Sequence, residues 1–286
     1  MNITRSINCF LLTTLLSAGL SAAGIVHASE NASADNSAGN SARSAAKPGE
    51  LYLPAGDAMA DLTAALDAAR ESNRLLLVMM GANWCHDSRA LASRIYEEPL
   101  STIINEHYEI LFVDVGFLEN GKDVISSLGS PVYYATPTVL ILDPFSGQVI
   151  NASNRHQWAN AASISMEDSL EYFREFANTD LSSIQNEQVV DSQLQRLLME
   201  IEAFEQLQAE RLYEAYAVLA PMLRAYKAGD EEAFSEETWN EVRDFRYKIP
   251  ADIEALKSEA RQRVTAGETD IKLSYPVYPA FSWDPQ

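Results

Sequence analysis

The sequence predicts an α/β domain, with a central mixed sheet flanked by helices, followed by an α-helical region. Three apolar runs in the first half are too short for typical helices and alternate with helical patterns; they cover residues 75–80, 110–115 and 139–142. The second half lacks such runs, and its apolar residues recur at steps of three and four. We therefore assign the α/β domain to residues 51–178 and the helical region to residues 179–286.

Residues 1–28 have the pattern of a secretory signal peptide. A weakly positive start is followed by an apolar run from Cys9 to about Val26, and Ala28 completes a small-x-small cleavage pattern. The alternative is an uncleaved membrane anchor, but the Gly and Ser content of the run favours cleavage. We expect a periplasmic or secreted protein, not stably inserted in a membrane, in which residues 29–50 form a flexible Ser- and Ala-rich linker.

Composition argues against nucleic acid as a partner. Of the 286 residues, 47% are hydrophobic, which is enough for a large core, but the formal net charge of −20 repels phosphate backbones. Residues 165–286 hold 12 basic and 25 acidic residues and so carry most of this charge. Such a surface suits a basic protein partner of the helical region, although acidic surfaces more often serve solvation alone.

The cysteine count limits the redox chemistry. The chain has two cysteines, and Cys9 lies in the predicted signal peptide, so the mature protein retains Cys85 alone. No intramolecular disulfide can then form, even in an oxidising compartment. One cysteine and the adjacent His86 do not make a metal site without distant ligands, so we predict neither a metal nor a cofactor.

The first elements of the α/β domain follow from Asp57. This residue predicts the cap of a helix that runs to about Ser72, and the apolar run at 75–80 predicts a strand buried on both faces. The segment Trp84-Cys85-His86-Asp87-Ser88 then opens a second helix. Pro99 is predicted to interrupt or kink that helix, because proline lacks the amide donor that a helix interior needs.

The remaining elements of this domain predict a sheet completed by a hairpin. A strand at 110–115 is followed by a polar loop and a short helix within 117–128. The segment Thr136-Pro137-Thr138 leads into the strand at 139–142, and the turn after it predicts a returning strand that begins at 148–150. A helix from about Met166 to Ala177 closes the domain.

The apolar spacing of the second region predicts long helices. The stepping in residues 190–204 recurs in residues 212–226 in a shifted phase, which predicts two helices, or one helix with a register break near Gln208. Ser235 is a candidate cap for the next helix, and Pro250 is predicted to start another.

The chain ends in an extended segment rich in aromatic residues and proline. Tyr275-Pro276-Val277-Tyr278-Pro279-Ala280-Phe281-Ser282-Trp283 lacks helical periodicity. It is interpreted either as a strap packed over the helices or as a tail that binds a partner. We favour the strap, because aromatic side chains in a soluble chain are more often buried than displayed.

Together these features resemble the thioredoxin-like family over residues 57–178. Trp84-Cys85 lies at a strand-to-helix junction, Thr136-Pro137-Thr138 precedes a buried strand, and a turn with Gly147 joins the last two predicted strands. The resemblance implies a cis peptide bond before the proline, which lies beside the active-site sulfur in this family. It also implies that the backbone of the threonine before that proline pairs with the extended chain of a substrate.

Cys85 stands where the predicted fold activates a thiol. A helix N-terminus favours thiolate over thiol, so the pKa is expected to fall below the ordinary value of about 8.5. A protonated His86 would act in the same direction, Asp87 would oppose it, and Ser88 could donate its hydroxyl proton to the sulfur. The alternative is that Cys85 is a vestige with ordinary reactivity.

Two departures from the family pattern point to single-thiol chemistry. Ser88 occupies the position of the second thiol of the Cys-x-x-Cys motif, which would resolve a mixed disulfide, and Met79 replaces the buried acid often found before the motif. The resemblance assigns substrate contacts to Trp84, His86, Thr136 and Pro137, and catalytic roles to Cys85 and Ser88.

We therefore expect an exported monothiol protein that acts on protein or small-molecule thiols and disulfides through Cys85, as an oxidoreductase or isomerase without a resolving cysteine. The alternative is a redox-silent scaffold that binds a partner through its helical region. Peroxide chemistry is weaker, because the residues flanking Cys85 lack the Thr and Arg pattern that polarises a peroxide bond.

Overall fold

The computed structural model describes residues 51–179 and 191–285, so the predicted signal peptide and linker lie outside the described residues. The helices are α1 Ala58–Ser72, α2 His86–Arg94, α3 Leu100–His107, α4 Lys122–Ser127, α5 Met166–Ala177, α6 Ser192–Lys227 and α7 Glu236–Thr265. The strands are β1 Leu75–Gly81, β2 Tyr108–Asp114 and β3 Thr138–Leu142. Short 3-10 helices occupy Gln157–Ser163 and Glu231–Ala233.

Helix α1 and strand β1 form as their residues predict. The Asp57 carboxylate accepts the amides of Met59 and Ala60 at 3.0 and 2.9 Å, which caps α1, and Asn73 ends the helix with a left-handed φ of 53°. All of β1 is buried, as expected for a central strand.

The described sheet is mixed, with strand order β2-β1-β3. Strand β1 pairs with β2 in parallel and with β3 in antiparallel orientation, so that Val78 lies between Leu111 and Leu140. The predicted α/β domain with a mixed central sheet and an α-helical C-terminal region is confirmed. This arrangement places the carboxyl end of β1, and hence Cys85, beside the start of β3.

The segment predicted to begin the returning strand, 148–150, does pair antiparallel with β3, but only as an isolated bridge between Leu142 and Val149, with the Ile150 amide donating to the Ile141 carbonyl at 2.8 Å. No full strand follows among the described residues. Instead, the buried side chain of Asn151 takes over the pairing with β3. Its Oδ1 accepts the Ile141 amide at 2.8 Å, and its Nδ2 donates to the Val139 carbonyl at 2.9 Å. One amide side chain thus satisfies a donor and an acceptor that a fourth strand would have paired.

Two apolar cores lie on opposite faces of the sheet. One contains Leu77 and Met79 of β1 and packs against α2, α3, α5 and the buried Trp158. The other contains Val78 and Met80, and it continues without interruption into the side chains of α6 and α7. The C-terminal helices therefore share a core with the thioredoxin-like sheet and are not a separate appendage.

Helix α6 is continuous over 36 residues, so the predicted division or register break near Gln208 is wrong. The buried stripe runs through Ile201, Glu205, Ala209 and Leu212 at steps of four, four and three. Glu205 and Ala209 continue the buried stripe between the two apolar patterns. Because Glu205 is polar and Ala209 is small, a search for large apolar residues at helical spacing does not find them.

Helix α7 begins at the predicted Ser235 cap but continues through Pro250, so the prediction that Pro250 starts a new helix is wrong. A proline inside a helix removes one backbone hydrogen bond, at about 3 kcal/mol. Burial of Ile249 and Ile253 on either side of it holds the helix together.

The terminal aromatic segment packs over the helices, in agreement with the strap interpretation. Tyr278 and Phe281 are buried, and the ring of Phe204 lies 4.9 Å from that of Tyr275. Tyr278 also donates a hydrogen bond to Asp252 of α7 at 2.9 Å. Within the two described stretches, no helix combines the length and the apolarity needed to cross a bilayer.

Candidate functional site

Cys85 lies at the junction between β1 and α2, as the sequence predicts. It occupies the N-cap position of α2, with extended backbone angles (φ −81°, ψ 127°), and its carbonyl accepts the Arg89 amide at 3.2 Å. The Cys85 side chain accepts no capping hydrogen bond from the amides of the first helical turn. Cys85 is only 9% exposed.

The sulfur contacts Thr136 directly. The Cys85 thiol donates a hydrogen bond to the Thr136 carbonyl at 3.1 Å, and the Thr136 hydroxyl lies 3.5 Å from the sulfur. The peptide bond between Thr136 and Pro137 is cis. The structure therefore brings together three of the predicted site residues, although they are 51 and 52 positions apart in the chain.

Trp84 and His86 have different surroundings. The half-buried Trp84 donates its indole N–H to the Gly116 carbonyl at 2.6 Å, and its ring stacks on Phe117 at 6.2 Å. His86 is exposed on the first turn of α2. Asp87 accepts the Ala162 amide at 2.9 Å, so its carboxylate anchors the 3-10 helix Gln157–Ser163.

Ser88 does not bond the sulfur. Its side chain is fully buried, and its hydroxyl has no hydrogen-bond partner among the described residues. The Ser88 side chain lies instead against Gly81 and Tyr52. If Gly81 carried a side chain, its Cβ atom would lie 2.6 Å from Ser88 Oγ and 2.7 Å from Tyr52 Cζ. The predicted proton donation from Ser88 to Cys85 is absent from this arrangement.

Tyr52 is a site residue that the sequence analysis missed. Burial raises its pKa, and the neighbouring Cys85 raises it further. Its hydroxyl, like that of Ser88, is buried without a hydrogen-bond partner in the described part of the chain. Tyr52 precedes the first periodic element, so no pattern in the sequence marks it.

The helical region covers the loop that carries Thr136. The Tyr216 hydroxyl donates to the Tyr133 carbonyl at 2.9 Å, and the rings of the two tyrosines stack at 5.5 Å. The Tyr134 hydroxyl donates to the buried Glu205 carboxylate at 2.9 Å. Thr136 and Pro137, the predicted substrate-binding wall, are buried in the loop that these contacts hold.

Helix α6 also contacts the loop on the other side of Cys85. Arg224 forms an ion pair with Glu119, and its guanidinium lies 5.2 Å from the centre of the Phe117 ring. Phe117 in turn stacks on Trp84, which precedes the cysteine. A single helix therefore holds both loops that border the thiol.

Arg246 of α7 is the second residue that the sequence analysis missed. It is only 4% exposed, and it forms no ion pair with a carboxylate in the residues that the structure covers. Burial alone would lower its pKa, but interactions with Tyr216, Tyr247 and Cys85 raise it overall. Helical spacing marks position 246 as buried, and the Arg246 guanidinium lies 5.1 Å from the centre of the Tyr247 ring and 5.9 Å from that of Trp239.

A cavity of about 370 Å³ lies beside the Thr136 loop, between that loop and α7. Tyr134, Ala135 and His156 form one wall, and Tyr247 and Pro250 form the other. Burial, with the charges of Arg155 and Lys257, lowers the pKa of His156 to about 3. Across the described residues, no group of three or more His, Cys, Asp or Glu side chains is placed to hold a metal ion.

The fold and the site define a thioredoxin-like domain. A family described as thioredoxin-like matches residues 57–144, so this part of the chain is similar to thioredoxin-like domains. A solved structure, a disulphide isomerase from Xylella fastidiosa Temecula1, is similar at 26% identity and a TM-score of 0.42; the match covers 44% of this chain and 96% of that one. None of the curated proteins compared matches.

The thioredoxin-like fold supports a role in thiol and disulfide chemistry at a coarse level. The family match ends at residue 144 and does not reach α6 or α7. The α6 side chains that bind the loop before Thr136, Glu205 and Tyr216, therefore lie outside the matched region.

Proposed function

We propose that the mature protein is an exported monothiol thioredoxin-like protein that exchanges with protein or small-molecule disulfides through Cys85. The observation that carries this proposal is the position of the Cys85 sulfur at the start of α2, 3.1 Å from the carbonyl of Thr136 and next to the cis proline. Export to the periplasm or beyond follows from the signal-peptide pattern of residues 1–28.

The exchange needs no net oxidant. The Cys85 thiolate attacks one sulfur of a substrate disulfide, a new bond forms between them, and the other substrate sulfur leaves as a thiolate that takes a proton from water. A second substrate thiolate then attacks the mixed disulfide and releases Cys85. One disulfide is consumed and one is formed, so the cycle isomerises its substrate.

The residues around Cys85 suit such a cycle better than a two-thiol one. Ser88 cannot resolve the mixed disulfide, because a hydroxyl oxygen forms no stable bond to sulfur under these conditions. Met79 is buried in the core, so no acid is present there to deprotonate a second thiol. The mixed disulfide therefore persists until an external thiol arrives.

Burial of Cys85 favours a second candidate, a redox-silent scaffold. The thiol is 9% exposed, and the Thr136 carbonyl that would receive a substrate backbone is occupied by the thiol itself. In this candidate the domain is a platform on which α6 and α7 display an acidic surface to a partner.

Trapping distinguishes the two candidates. The mature protein is incubated with a protein containing scrambled disulfides, quenched with acid, and analysed for covalent complexes by non-reducing electrophoresis and mass spectrometry. The exchange proposal predicts complexes that vanish in Cys85→Ser and persist in Ser88→Ala. Absence of any complex, with Cys85 labelled only in denaturant, would favour the scaffold.

A further inference from the structure

The loop at residues 116–119, which follows β2, has a backbone conformation that its own sequence disfavours. Gly116 and Leu118 have left-handed φ values of 59° and 84°, on either side of Phe117. Glycine adopts such angles freely, but a bulky residue such as leucine does so only with strain. The contacts around the loop must therefore hold it in this conformation.

Side chains of α6 contribute to these contacts at two points. The Leu118 carbonyl accepts the Tyr133 hydroxyl at 2.8 Å, and the Tyr133 ring stacks on that of Tyr216 at 5.5 Å. Further along α6, Arg224 forms an ion pair with Glu119. Leu118 is buried and Glu119 is exposed, so the helix restrains the loop both in the core and at the surface.

Phe117 passes this restraint on to Trp84. The Arg224 guanidinium lies 5.2 Å from the centre of the Phe117 ring. That ring stacks on the Trp84 ring with 6.2 Å between the centres and 8° between the planes, within the range that aromatic pairs prefer. The indole N–H of Trp84 also donates to the Gly116 carbonyl at 2.6 Å. The loop therefore fixes both the plane of the indole and its direction within that plane.

Trp84 is a residue at which such a restraint matters for disulfide exchange. It directly precedes Cys85, it is only half-buried, and the family resemblance assigns it a contact with the substrate. A side chain that is already ordered before a substrate arrives loses less conformational entropy when the substrate binds. A fixed indole can therefore receive a substrate chain at lower cost than a mobile one.

We propose that Arg224 is a positioning residue for Trp84, so that helix α6 sets the orientation of the indole next to the thiol. This inference rests on the proposed exchange function and deepens it, because it concerns how a polypeptide disulfide is received beside Cys85. Arg224 acts through Phe117 and is not a catalytic residue. The intrinsic reactivity of the thiol is therefore independent of Arg224, whereas the reception of a polypeptide depends on it.

The first test observes the indole directly in the mature full-length chain. The protein is labelled with fluorotryptophan, and Trp84→Phe identifies the fluorine NMR signal of Trp84 among those of the four tryptophans. Arg224→Ala is expected to shift or broaden this signal and to leave the other three in place. Arg224→Lys retains the cation and is expected to restore the parental signal. An unchanged Trp84 signal in Arg224→Ala would overturn the inference.

The second test compares two reactions of Cys85. In one, the thiolate attacks an unstructured peptide whose cysteine is joined to a coloured aromatic thiol; a bond forms between Cys85 and the peptide sulfur, and the aromatic thiolate leaves. In the other, iodoacetamide alkylates the thiol. Arg224→Ala is expected to slow the first reaction about two- to fivefold, the effect of an exposed contact between a cation and a ring, and to leave the second unchanged.

An equal fall in both rates would contradict the inference, because a general loosening of the structure would affect both reactions. If no variant reacts with the peptide, the proposed exchange fails, and the NMR comparison still decides whether Arg224 positions Trp84.

Lys227→Ala is the matched control. Lys227 is exposed and lies one turn after Arg224 on α6, and its ammonium lies 5.1 Å from the ring centre of the neighbouring Tyr226. This variant removes the same charge from the helix and is expected to leave the Trp84 signal and both rates unchanged. A change in the Trp84 signal as large as that in Arg224→Ala would contradict the inference, because the charge of the helix would then be the cause.

Discussion

The Cys85 thiol donates its hydrogen bond to the backbone carbonyl of Thr136, at 3.1 Å. In a thioredoxin-like domain this backbone is expected to receive the substrate chain, and here the cysteine itself occupies it. Tyr216 and Glu205 of α6 hold the same loop from its other side. A substrate backbone that pairs with this carbonyl must displace the thiol from it, and movement of the loop away from Cys85 would strain both α6 contacts.

Glu205→Ala is expected to loosen this cover. It removes the buried acceptor of the Tyr134 hydroxyl, which costs about 1–3 kcal/mol when the donor is left unsatisfied. We expect faster alkylation of Cys85 by a small iodoacetamide reagent under native conditions. Rates are measured by quenched mass spectrometry.

Two variants serve as controls for the Glu205 prediction. Glu205→Gln keeps an oxygen acceptor for Tyr134 and should label at nearly the parental rate. Glu202→Ala lies on the exposed side of the same helix and should have no effect. Equal labelling rates in Glu205→Ala and the parent would mean that this contact does not control access.

Ser88→Cys is expected to restore a two-thiol cycle. Position 88 lies one helical turn after Cys85 and is buried against Gly81. A thiol there would attack the mixed disulfide between Cys85 and glutathione and release glutathione about tenfold or more faster than dilute external thiol does. A mixed disulfide that persists in Ser88→Cys would show that position 88 cannot reach the sulfur.

Asn151→Ala is expected to destabilise the thioredoxin-like domain. The side chain binds the Ile141 amide, the Val139 carbonyl and the Tyr172 hydroxyl, and all of these lie in the core. Loss of these bonds leaves buried groups unsatisfied and should lower the free energy of unfolding by about 2–4 kcal/mol. Urea denaturation measures this change, and Asn154→Ala, in the adjacent turn, should cost much less.

His156 is expected to make the protein sensitive to acid. Its pKa is lowered from 6.5 to about 3, chiefly by burial, so the unfolded chain takes up this proton first as the pH falls. Stability should therefore decrease from pH 6.5 toward pH 3, by up to about 1.4 kcal/mol per pH unit from this residue.

Comparison of the parent with His156→Gln isolates that contribution. The variant lacks the titrating imidazole, so its thermal midpoint should fall less steeply over the same pH range, while the two proteins behave alike above pH 7. If the thermal midpoints of the two proteins fall equally steeply with decreasing pH, His156 is protonated in the folded state without loss of stability.

The sequence predicted the thioredoxin-like domain well because its elements are set by local chemistry. Asp57 caps α1, β1 is apolar on both faces, and the Trp84-Cys85 and Thr136-Pro137 segments carry the family resemblance. Asn151 shows the limit of predicting structure from local chemistry. Its pairing with β3 is a tertiary contact made by one side chain, and the sequence around it predicts a strand equally well.

The helical region was less predictable, because its form depends on long-range packing. Glu205 continues the buried stripe of α6 only because Tyr134 provides a donor for its carboxylate. Pro250 stays within α7 because the neighbouring isoleucines are buried. Tyr52 approaches Cys85 from before the first predicted helix, and no spacing in one sequence reveals such an approach.

The central claim is that Cys85 reacts from the native fold, and its rate of mixed-disulfide formation with glutathione disulfide tests this most directly. The rate is measured at neutral pH across urea concentrations below the unfolding transition, beside the global stability of the same protein. The account predicts a rate well above that allowed by the globally unfolded fraction, with little dependence on urea. The account would be contradicted if the measured rate equalled the globally unfolded fraction multiplied by the reaction rate of the unfolded chain, and if it rose steeply with urea.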